Sequence, residues 1–97
     1  MNIKEVFEKY NDADEFLKFS RVENKRSTRA DIHAFILLDS LVPGEIGDMV
    51  CAAEHDEIFL AIAPDKLAEV ATEAQVLELI RCGVRLDSST DSLAMFV

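Results

Sequence analysis

A chain of 97 residues, 49% hydrophobic and 30% charged, has the composition of one small globular domain, 1–97. It can bury roughly 60 to 70 per cent of its unfolded surface without a disulfide or a metal to close it. The formal charge of −9 is uneven: residues 1–29 hold seven basic and six acidic groups, whereas residues 30–97 hold three basic and thirteen acidic ones.

An acidic body repels phosphate backbones and attracts basic partners, and it also keeps a protein dissolved. No apolar run approaches the roughly twenty residues that a membrane span needs. Nor does a charged-then-greasy leader open the chain, and Cys51 and Cys82 both lie among apolar neighbours. A cytoplasmic protein with two buried, reduced thiols and no membrane association is expected.

In chain order, Asn2 to Glu5 has capping-box-like spacing, and Ile3, Val6, Phe7 and Tyr10 fall along one face of a helix. Asn11 to Asp14 interrupts it, with Asp12 or Asp14 placed to cap a second short helix carrying Phe16, Leu17 and Phe19. Lys18 to Arg29 then holds five of the ten basic residues against one acid, Glu23, and reads as a solvated loop.

Ser27 or Thr28 is placed to cap a helix over Ala30 to Val42. Leu37, Leu41, Ala34, Leu38 and Phe35 share one broad arc of it, while Ile32 and Ile36 fall outside. The two N-terminal helices are the expected cover for those isoleucines; failing that, they mark a protein interface. Val42-Pro43-Gly44 stops the helix.

Residues 48–54 read as a short helix capped by Asp48, on the strength of two alanines and Glu54. The alternative is a fourth strand over 49–53 that turns through His55-Asp56. Residues 57–62 form an apolar run of strand length, expected in the sheet interior. Pro64 and Asp65 open a short helix over 66–71, and Thr72-Glu73-Ala74-Gln75 is a capping box that starts another, ending at Gly83. Residues 84–87 and 92–97 make a hairpin. The more apolar arm, 92–97, belongs in the centre and Arg85 at an edge.

The fold class is therefore α+β: a small, mostly antiparallel three-stranded sheet (57–62, 84–87, 92–97, the last strand central) packed with about four to six helices, with a fourth strand at 49–53 as the variant.

No residue pattern supplies a catalytic centre, a cofactor or a metal. Cys51 and His55 lack the spacing partners of a zinc site. A cysteine–histidine pair needs an oriented base and a thiolate, for which there is no motif. Asp87 to Asp91 imitates the start of a calcium loop, but Ser92 stands where glycine is required. Gly44, Gly47 and Gly83 form no phosphate cradle.

By exclusion and by charge, the sequence points to a non-catalytic acidic interaction module that binds or inhibits a protein with a basic surface. Glu54, Asp56, Glu57, Asp87 and Asp91 are the candidate contacts. The alternative is nucleic-acid contact through Lys18, Arg21, Lys25, Arg26 and Arg29, which lack the interleaved aromatics that such surfaces use. A small metal-binding protein is the third reading.

Overall fold

A computed structural model describes residues 1–44 and 47–97. Its elements run α1 (Ile3–Asp12), a 3-10 turn (Phe19–Arg21), α2 (Ala30–Leu41), β1 (Val50–Glu54), β2 (Glu57–Leu60), α3 (Pro64–Val70), α4 (Glu73–Arg81), β3 (Arg85–Asp87) and β4 (Ser92–Phe96). The strands form one antiparallel sheet in the order β1-β2-β4-β3. The α+β expectation holds, with β4 inside and β3 at an edge.

One expectation is corrected at residues 48–54, where no helix forms and Val50–Glu54 is strand. Alanine and glutamate favour helix by only tenths of a kcal/mol, about 0.5 per residue at most. Pairing with β2 outweighs that preference. Val50 lies opposite Leu60, Ala53 opposite Ile58 and Glu54 opposite Glu57, and the Ala61 N–H donates to the Met49 carbonyl at 2.7 Å. The two strands meet through His55, which takes a left-handed φ of 54°.

Alternation then decides which side chains enter the core. Met95 faces Ile58 across one ladder, and Leu93 faces Leu86 across the other. They join the core built by Leu38 of α2, Leu67 of α3 and Val76, Leu79 and Ile80 of α4. Glu57, Phe59, Arg85, Asp87 and Phe96 lie on the opposite side of the sheet, where the Phe16 ring meets that of Phe96 edge-on.

The capping box of α4 is complete. The Gln75 N–H donates to the Thr72 hydroxyl at 3.2 Å, and the Thr72 N–H donates to the Gln75 side chain at 2.9 Å; such a cap stabilises a helix by about 1 kcal/mol. At the other end the Gly83 N–H donates to the Ile80 carbonyl and the Val84 N–H to that of Leu79. Gly83 adopts φ 99°, the left-handed conformation this closure requires.

The first third of the chain departs from expectation. Helix α1 runs on to Asp12, and no second helix forms around Phe16 and Leu17; only the short turn at Phe19–Arg21 follows. Segment 13–21 is drawn to the end of α4 instead. The Leu17 N–H donates to the Ile80 carbonyl, and Arg81 and Arg21 both pair with Glu15. As a result Ile32 and Ile36 are left 41% and 38% exposed, without the cover expected for them.

Helix α2 begins without a side-chain cap. Arg29 holds the cap position, Ser27 accepts from the Arg29 N–H, and Asp31 accepts from the adjacent Ile32 N–H.

Candidate functional site

The five carboxylates singled out from sequence do not form one patch. The register places Glu57 opposite Phe96, at the end of β4, and Asp87 opposite Ser92, at its start. Glu54 and Asp56 therefore share the β1–β2 end of the sheet with Glu57, while Asp87 and Asp91 belong to the turn at the other end.

Arg85 divides them further. Its guanidinium pairs with Glu57, lies 3.8 Å from Asp87 and stacks 4.5 Å from the centre of the Phe96 ring. Two of the five acids are thus neutralised by the protein's own cation. Asp87 also accepts from the Thr90 hydroxyl at 2.6 Å and from Ser89, and these bonds hold its carboxyl below the usual range. It organises the hairpin turn.

Glu54, Asp56 and Asp91 remain. Among the described residues none of the three pairs with lysine or arginine, and Glu54 has only the exposed His55 imidazole, 3.9 Å away. Asp91 lies in a groove of about 560 Å³ between α1, α3 and the β3–β4 turn, where Glu8 and Asp65 are further carboxylates and Lys4 the opposing charge. Glu54 and Asp56 flank the turn that ends β1, whose five residues are all exposed.

A second groove, of about 340 Å³, opens beyond the Val50 end of that strand. Phe35, Ile36, Val42 and Met49 give it an apolar lining, and Asp39 and Asp48 add two carboxylates. Sequence reasoning missed both, since nothing local relates Asp39 on a helix to Asp48 on a loop.

The basic segment is largely committed to internal contacts. Lys18 lies 3.7 Å from Asp14, Arg21 pairs with Glu15, and the Lys25 ammonium donates to the Val22 carbonyl at 2.8 Å while lying over the Phe19 ring. Arg26 and Arg29 are exposed, and the contacts they make are through backbone N–H groups, to His33 and Ser27. Two of the five cations thus meet a carboxylate, while Lys25, Arg26 and Arg29 are exposed and pair with none among the described residues.

The candidate chemistry at cysteine and histidine has an equally definite geometry. His33, 1% exposed, accepts the Arg26 N–H at Nδ1 (3.0 Å) and faces the Glu78 carboxylate through Nε2 (3.1 Å). An amide N–H can only donate, so the ring proton sits on Nε2 and both nitrogens are occupied. Burial, reinforced by the nearby Glu78 charge, pushes the Cys82 thiol up to about 12. That is a structural thiol with no free base beside it. Among the described residues no three histidine, cysteine or acidic side chains gather as metal ligands, and no helix is long and apolar enough to cross a membrane.

Cys51 corrects the expectation of two buried thiols: it is exposed on β1, its Sγ 3.4 Å from the Phe59 carbonyl oxygen. A maleimide should therefore modify one thiol per folded chain quickly and the second only in denaturant, as read by intact mass. Rapid double modification of the folded protein would mean that α4 opens readily.

The clamps that hold the N-terminal third predict acid sensitivity. Hydrogen bonds from Arg81 and Arg21 lower the Glu15 carboxyl from its ordinary 4.5, and those from Tyr10 and Lys9 lower Glu73 likewise. Depressed folded values mean that the unfolded chain binds more protons, so this stabilisation is present above about pH 4.5 and fades as pH falls through the folded values. Urea midpoints should fall with pH in that window, and Glu15→Gln should flatten the slope. An unchanged slope would show that the clamp contributes nothing.

Comparison with protein-family models, with curated proteins and with solved structures finds no match in any of the three.

Proposed function

We propose that the protein is a non-catalytic acidic cytoplasmic interaction module that binds or inhibits a protein partner with a basic surface, with Glu54 and Asp56 at the centre of the contact. The unmatched charge of those two residues carries the reading. Lys9, Lys18, Arg21, Arg81 and Arg85 each meet one of the chain's own carboxylates, whereas the β1–β2 turn meets no lysine or arginine among the described residues. Uncompensated acids on an exposed turn speed and orient the approach of a basic surface, more through association rate than through raw affinity.

Glu57 and Asp87 leave the contact set, because displacing Arg85 from them would cost what it gains. Asp91 belongs to the separate groove at the far end of the sheet. Nucleic-acid contact is disfavoured by the pairing of Lys18 with Asp14 and of Arg21 with Glu15, which leaves Lys25, Arg26 and Arg29 to neutralise phosphates.

Parallel titrations with oligolysine and with a duplex DNA oligonucleotide, at low and high salt, test the reading. Oligolysine should bind at low salt, release at high salt, and bind more weakly to a Glu54→Lys, Asp56→Lys double variant. Retention of DNA, or binding indifferent to the double substitution, would reject it.

A further inference from the structure

We propose that an extended basic segment of the partner adds to the sheet as a fifth strand along β1, with an apolar side chain seated in the groove beyond Val50. This inference rests on the acidic-module reading.

An edge strand presents every second backbone N–H and C=O outward, and these groups pair readily with another extended chain. The two edges of this sheet differ. β3 has three residues, all half-buried, and its Arg85 is locked between Glu57 and Asp87. β1 has five, exposed throughout, and Val50-Cys51-Ala52-Ala53 contains none of the lysines, prolines or inward-pointing charges that usually blunt an edge. A bulge between Val50 and Ala52 blunts that end of the edge, so Ala52 to Glu54 is the regular part left open to pairing.

Charge selects the occupant. Glu54 and Asp56 stand at one end of the edge, Asp48 precedes the other, and Asp39 lines the adjoining groove with it. From Glu54 to Met49 is about 17 Å of extended chain, which one short segment spans. A second copy of this protein would bring another −9 to the same surface and is disfavoured. Strand addition of this kind takes its affinity from backbone hydrogen bonds and its selectivity from side-chain pockets beside the edge.

The probe is a short capped peptide of alternating lysine and valine, compared with its glutamate–valine counterpart and with a lysine–valine peptide N-methylated at every second residue. Binding isotherms and amide hydrogen exchange are read on the full chain. The lysine–valine peptide should bind, slow exchange in β1, and lose about tenfold in affinity on N-methylation; the acidic peptide should not bind.

Binding that is indifferent to N-methylation, or protection that maps away from β1, would overturn strand addition and leave the acidic reading standing. No binding of the basic peptide at low salt would overturn both. Concentration-dependent dimers with protected β1 amides in the absence of peptide would overturn it in favour of self-pairing.

Discussion

Leu38→Ala should destabilise the protein by about 3 kcal/mol, lowering the thermal midpoint by about 15 °C, whereas Ile36→Ala two positions away should cost under about 1 kcal/mol. Both residues belong to α2, yet Leu38 is fully buried against the core and Ile36 is 38% exposed. Truncating a buried leucine removes its transfer free energy and leaves a cavity that the surroundings fill only in part. Ile36 loses a few contacts at the lip of the groove, and water replaces them. Chemical denaturation of the two variants separates the cases. Equal losses would mean that the N-terminal segment ending at Phe19 covers the outer side of α2 in solution, as the sequence suggests, rather than docking through Glu15 on Arg81.

That contrast marks how far the sequence could be read. Elements whose signals are local were legible: the Thr72 cap with Gln75, the left-handed closure at Gly83, and the apolar run that puts β4 inside the sheet and Arg85 at its edge. Where the deciding partner is distant, the reading failed. Ala52, Ala53 and Glu54 are locally suited to helix, and only the β2 strand beyond His55 makes them extended.

Segment 13–21 is rich enough in aromatics to suggest a helix laid over α2, but Arg81 supplies a partner for Glu15 that no spacing rule reveals. The same holds for the candidate contacts. Composition identifies nineteen acids; only the register shows that Arg85 takes Glu57 and Asp87 while Glu54 and Asp56 go unmatched. Surplus charge was visible in one dimension and its location was not.

His33→Leu should cost about 2 kcal/mol although it keeps the position filled, because the imidazole is a hydrogen-bonded bridge as well as a core group. Its Nδ1 takes the Arg26 N–H, its Nε2 proton points at Glu78 on α4, and the Phe19 ring packs against it with the ring centres 5.9 Å apart. Loop 22–29 is thereby tied to α2 and α4 at one point. Leucine conserves most of the apolar packing and removes both bonds, so the cost lies in lost polar pairing rather than in a cavity.

Glu78 is 30% exposed in its side chain and can rehydrate, which keeps the loss below that of a sealed charge. Two measurements check the bridge. Amide exchange at Arg26 should accelerate in His33→Leu, and a double-mutant cycle with Glu78→Ala should return a coupling of about 1 kcal/mol. Additive losses would leave His33 as a packing residue only. Coupled losses would place the anchor of the basic loop inside the core, and would explain why that loop's cations serve the fold before they could serve a phosphate.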